Sequence, residues 1–190
     1  MNLRQTLATG ALLLSPALAF AHDGHDHAGL LAGLAHPLGG LDHLLAMLAV
    51  GLWAAQQKGS ARWALPLTFV AAMLAGGLLG FAGHALPLLE NGIAGSVLAL
   101  GLLVALAARP PLAAALGLTA LFALGHGVAH GLELPALASP WGYAAGFVAA
   151  TAALHGLGYR LARRLPQAVA PLVRIAGGLT ALAGGWLLAA

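Results

Sequence analysis

Beyond residue 35 the chain alternates long apolar runs with short polar breaks. Six apolar stretches, near 36–56, 63–83, 87–108, 111–132, 141–159 and 169–190, each approach the roughly 20 residues a helix needs to cross the hydrocarbon of a bilayer. The breaks are Gln56-Gln57-Lys58-Gly59-Ser60, Pro110-Pro111, Ser139-Pro140 and the segment from Arg160 to Pro166. Connections this short hold no soluble domain. The pattern predicts an all-α polytopic membrane protein, with a six-helix transmembrane bundle over residues 36–190.

The first 21 residues, MNLRQTLATGALLLSPALAFA, follow another pattern. Arg4 supplies a positive start, Ala8 to Leu18 an apolar stretch too short to span, and Ala19-Phe20-Ala21 a small-x-small cleavage site. Residues 1–21 are therefore expected to be a signal peptide, the competing reading being an uncleaved first helix. Cleavage makes His22 the mature N-terminus and leaves residues 22–35 as a His/Asp-rich periplasmic tail.

Composition points to the same solvent. Hydrophobic residues make up 61% of the chain and charged residues 7%, with a mean hydropathy of +0.91, whereas a soluble domain carries roughly 25% charged residues. Too little charge remains to cover a water-facing surface. The formal net charge of +3 rests on few residues and implies no nucleic-acid partner. Position matters more than sum. With residue 22 periplasmic, Lys58, Arg62, Arg109, Arg160, Arg163 and Arg164 all fall on the cytoplasmic side, and Arg174 reaches it by snorkelling. Signal peptide and positive-inside bias thus agree on a multi-pass protein of the bacterial inner membrane. Trp53, Trp63 and Tyr159 then lie toward the inner interface, and Trp141, Tyr143 and Trp186 toward the outer one. Gly76xxxGly80 and Gly142xxxGly146 have the spacing that lets helix backbones approach.

Nine His stand beside only eight Lys/Arg and five Asp/Glu, and there is no Cys. Disulfides, thiolate zinc sites and Fe–S clusters are excluded. On the expected topology nearly every His and acid collects on the periplasmic side. His22, Asp23, His25, Asp26 and His27 form the tail. His36, Asp42 and His43 open the first span, His84 ends the second, Glu90 starts the third, and His126, His130 and Glu133 close the fourth. His155 alone belongs to the cytoplasmic half.

Steps of four and three put His126, His130 and Glu133 on one helical face, where imidazoles one turn apart can chelate a divalent ion. In His36-Pro-Leu-Gly-Gly-Leu-Asp42-His43, the Pro37, Gly39 and Gly40 positions are expected to break the helix and fold His36 toward Asp42 and His43. Polar groups at membrane depth are costly unless paired and mark ion pathways by default; hydrogen bonding between helices is the plainer alternative. The expected metal ligands are His36, Asp42, His43, His126, His130 and Glu133, with Glu90 lining the site and the His22 amine and imidazole chelating at the tail. Other chemistries fit less well. Gly127 occupies the general-base position of a zinc-protease HExxH motif, no GxxxxGK[ST] is present, and haem ligation by paired His leaves the acids unexplained.

At these residues the chain resembles the HupE/UreJ family of nickel/cobalt permeases. The resemblance is carried by His36-x5-Asp42-His43 followed by Leu44-Leu45-Ala46-Met47-Leu48-Ala49-Val50-Gly51, and by His126-Gly-x-Ala-His130-Gly-x-Glu133. One departure is Leu124-Gly125 ahead of His126, where family members often carry an aromatic residue directly before the His. The resemblance implies uptake of Ni²⁺ or Co²⁺ as substrate, with no prosthetic group and no enzymatic activity, for a downstream nickel enzyme or cobalamin pathway. The other partners expected are membrane lipid and further copies of the chain in a homo-oligomer. Two rival classes use the same ligands: an intramembrane metal-dependent hydrolase with a catalytic water, and a metal-binding accessory subunit that carries nothing.

Overall fold

The computed structural model describes residues 25–134, 139–165 and 170–190, with side chains from Gly29 onward. Residues 1–21, expected to be a signal peptide, and the His22 and Asp23 positions lie outside the described residues. Among the described residues seven helices follow in order: α1 His25–Gly39, α2 Leu41–Gln56, α3 Ala61–Phe81, α4 Leu89–Ala105, α5 Leu112–Leu132, α6 Pro140–Arg164 and α7 Ala170–Ala189. No strand occurs among the described residues. By length and composition α3, α5 and α7 can each cross a membrane, and α1 with α2 adds a fourth span if the bent pair counts as one.

The first span is interrupted where Pro37, Gly39 and Gly40 are expected to break it, but it begins earlier than the 36–56 stretch expected. It is broken at Gly40, with α1 and α2 meeting at 86°, and its first half begins at His25, inside the segment expected to be tail. Local sequence accounts for the break. Pro37 removes a backbone donor, and Gly40 takes an extended conformation (φ −108°, ψ 122°) while its carbonyl accepts the first bond of α2, from Leu44 N at 3.0 Å. Tertiary contact accounts for the early start. A Cβ on Gly33 would run into the backbone of Tyr143, and one on Gly146 into that of Leu30, so α1 lies directly against the first half of α6.

Glycine sets the other close pairs in the same way. α3 meets α5 where a Cβ on Gly76 would strike Leu124 and one on Gly127 would strike Met73; α4 meets α7 at Gly101 and Gly177. Helical glycine costs roughly 1 kcal/mol relative to alanine, and here the backbone approach it permits offsets that cost. The largest buried side chains are Trp53, Phe69, Met47, Leu65 and Met73, at the centre of the bundle. Leu67, Leu121 and Leu182 point outward and are exposed, so the helices are apolar on both faces, as membrane spans are.

One end of the bundle is tied by side chains onto carbonyls at the end of α4 and in the segment that follows it. Trp53 Nε1 donates to Ala108 O (2.8 Å), Gln56 Nε2 to Val104 O (3.0 Å) and Arg174 Nε to Ala105 O (2.7 Å). The Val104 and Ala105 oxygens are acceptors that a helix C-terminus leaves open. The opposite end carries the break at Gly40, and there the polar residues gather.

Candidate metal site at the helix break

The break places His36 in the last turn of α1 and Asp42 and His43 in the first turn of α2, facing the last two turns of α5. Four imidazoles form a connected row. His36 and His130 have ring centroids 4.7 Å apart, His130 and His43 4.2 Å, and His43 and His126 4.7 Å. The two motifs, far apart in sequence, therefore share one polar centre. Within it, one ligand atom from each of His36, His130 and Glu133 lies within 4.8 Å of the others. His36 Nε2 is 2.9 Å from Glu133 Oε2, in position for its N–H to donate to the carboxylate.

Hydrogen bonds fix which nitrogen of two other rings is free. Asp42 Oδ1 accepts from the His43 backbone N–H and from Nδ1, both at 2.7 Å, so Nδ1 carries the proton and the buried, unpartnered Nε2 presents its lone pair. Ser96 Oγ donates its hydrogen to Ile93 O at 2.7 Å and so has only a lone pair to offer His126 Nε2 at 2.8 Å. His126 is thereby protonated on Nε2, and its buried, unpartnered Nδ1 also presents a lone pair. His130 is 3% exposed, and neither of its ring nitrogens has a partner. Buried polar atoms without partners are costly, and His43, His126 and His130 each carry at least one such ring nitrogen in this cluster.

A cavity of about 570 Å³ opens onto this centre, lined by His36, Asp42, His43, Glu90 and Glu133. Three carboxylates at its rim give it negative potential. The cavity brings Glu90 to the same mouth as the two motifs. His84 is exposed and His155 is buried elsewhere in the bundle, 5.0 Å ring to ring from Phe69. His22 lies outside the described residues, as do the side chains of His25, Asp26 and His27.

The sequence reading passed over three supporting residues. Ser96 sets the His126 tautomer; it is the lone hydroxyl of α4, a signal a closer scan of that apolar helix could have used. Phe147 packs its ring 3.8 Å from that of His130. Tyr143, expected at the outer interface, is instead 5% exposed and sits edge-on to His36 at 5.6 Å, because the contact at Gly33 draws α1 over it.

Comparison with known proteins agrees with the whole length of the chain. A family model described as "HupE / UreJ protein" matches residues 10–187. The chain is 48% identical over 189 residues to "Protein HupE" of Rhizobium leguminosarum bv. viciae, covering 99% of both chains. No solved structure matches it.

Proposed function

The chain belongs to the HupE / UreJ family, and from that premise we propose that it is an inner-membrane permease that carries Ni²⁺ or Co²⁺ from periplasm to cytoplasm through the His/carboxylate centre at the helix break. The observation that carries the reading is the meeting of His36, His130 and Glu133 within one ligand sphere. We count six spans: the broken pair α1–α2, then α3, α4, α5, α6 and α7. With Lys and Arg held inside, the cavity faces the periplasm and the mature N-terminus lies outside. There the His22 amine and imidazole and the His-rich segment that follows collect ions for the cavity.

The chemistry follows from the donor set. Asp42, Glu90 and Glu133 draw a hydrated dication into the cavity. His36, His130 and Glu133, with the free lone pairs of His43 and His126, replace part of its water shell. Imidazole and carboxylate without thiolate suit borderline metals such as Ni²⁺ and Co²⁺ and bind weakly enough for release. Helix breaks at membrane depth serve this purpose elsewhere, because unwound backbone and helix ends are tolerated where they line an ion path. An inside-negative potential contributes about 2.3 kcal/mol per charge per 100 mV, hence roughly 4.6 for a divalent ion, which drives accumulation without ATP.

The test is uptake of labelled Ni²⁺ or Co²⁺ by cells that lack their own importers and express the full chain. His130→Ala is expected to lower uptake at limiting metal by about 100-fold, with unchanged amounts of protein in the membrane. Unchanged uptake rejects the site. No uptake by the parent chain, alongside retained metal binding, supports an accessory role instead.

A further inference from the structure

A second set of donor atoms, on α2, α3 and α6, lies deeper in the bundle and is unused by the capture site. On α6 the side chains of Tyr143, Phe147, Thr151 and His155 recur at four-residue steps and form one row. The first two touch the outer imidazoles. The next two are buried, Thr151 fully and His155 to 3% exposure. Thr151 Oγ1 lies 3.4 Å from Met47 Sδ of α2 and 3.7 Å from Met73 Sδ of α3, so one hydroxyl meets two thioethers.

His155 follows one turn later, and helical side chains lean back over the preceding turn, which inclines its ring toward Thr151 and the two sulfurs. The level is fixed by contact, since a Cβ on Gly51 would strike the carbonyl oxygen of His155 and Met47 precedes Gly51 by one turn. Neither ring nitrogen of His155 has a partner, although both are buried. A neutral imidazole always carries one donor and one acceptor, and each left unmet costs about 1–3 kcal/mol. A position that only filled space would be better served by Leu or Phe. Phe69 stands between the two sets, its ring 6.0 Å from that of His126 and 5.0 Å from that of His155.

We propose that His155, the sulfurs of Met47 and Met73 and the hydroxyl of Thr151 form an inner transit site for the same divalent cation, reached from the outer imidazoles past Phe69. The inference rests on the permease reading. Its donors are all neutral. Imidazole and thioether favour borderline and soft cations over Mg²⁺, Ca²⁺ or Mn²⁺, so the inner site filters a second time by softness. Without an anionic ligand it holds the ion briefly, and the membrane potential draws it onward.

The experiment uses the purified full chain in proteoliposomes, with Ni²⁺ as probe and an inside-negative potential. His155→Phe, which keeps an aromatic ring beside Phe69, is expected to lower the maximal uptake rate by at least about tenfold. The half-saturating Ni²⁺ concentration stays within about twofold, because the outer ligands that set capture are untouched. Met47→Leu combined with Met73→Leu conserves volume and leaves thermal stability close to the parent, yet lowers the maximal Ni²⁺ rate by about threefold or more. A parent-like maximal rate in folded His155→Phe overturns the inner site while leaving the outer one standing. Should His155→Phe not fold, a parent-like rate in the Met pair overturns it equally. If the parent chain itself carries no Ni²⁺, the permease reading falls first and the inner site with it.

Discussion

The two halves of the bundle interior share helices but not chemistry. Around the break at Gly40, His36, His43 and three carboxylates line an open cavity, with the buried rings of His126 and His130 packed behind them. Deeper in the bundle, Thr151 and His155 of α6 and the sulfurs of Met47 on α2 and Met73 on α3 are closed in and uncharged. Desolvating a dication needs anionic and strongly basic donors, and letting it go needs their absence. On the permease reading, a sequence of ligand strengths, strong and open outside, weak and shut inside, separates capture from onward release, while the membrane potential sets the direction. The contrast makes kinetic claims: changes outside act on the concentration dependence of uptake, changes inside on its maximal rate.

The hardest blow to the outer half that leaves its shape intact is Glu133→Gln. The amide keeps the size and a hydrogen-bonding oxygen near His36 Nε2, 2.9 Å away in the parent, but removes the anion from the three-residue ligand set. The half-saturating Ni²⁺ concentration is expected to rise by up to about 100-fold, with a much smaller change in maximal rate. A drop confined to the maximal rate would erase the division between the halves.

Asp42→Asn cuts less deeply. The carboxylate orients His43 by accepting its ring N–H and its backbone N–H on one oxygen, and an amide oxygen in that place can accept both bonds while losing the charge that makes the imidazole a better ligand. About a tenfold rise in half-saturation is expected, measured in the same uptake assay. A larger effect than that of Glu133→Gln would move Asp42 from orienting a ligand to being one.

Much of this was legible in sequence, and what was not has physical reasons. The apolar runs located the helices from α3 to α7 to within a few residues, because nothing but helix satisfies the backbone in lipid. Pro37, Gly39 and Gly40 announced the break. The convergence of the His36–His43 and His126–Glu133 segments followed from putting all cations on one side. The helical start at His25 did not, since residues 22–35 read as a His/Asp-rich tail, and Gly29 and Gly33 gave no sign of packing. Their role is a non-local contact with α6, invisible to any local pattern. His155 looked solitary for the same reason. Its companions Met47 and Met73 belong to other helices and pass, one at a time, for ordinary core residues.

The finest test of the outer half is Ser96→Ala. Ser96 touches the site only through His126, and its hydroxyl hydrogen is already committed to Ile93 O, so its one service is to accept the His126 Nε2–H and leave Nδ1 free. Removing the hydroxyl takes away a single buried hydrogen bond, a loss on the order of 1 kcal/mol, or about fivefold in an equilibrium constant. The imidazole is then free to exchange tautomers and hides its lone pair part of the time. The expected result is a rise of roughly threefold to fivefold in half-saturating Ni²⁺ with the maximal rate unchanged. Ser96→Thr, which restores the hydroxyl, should return the parent value. If Ser96→Ala lowers the maximal rate instead, His126 belongs with Phe69 and His155 on the way in, and the boundary between capture and passage lies one imidazole nearer the cavity.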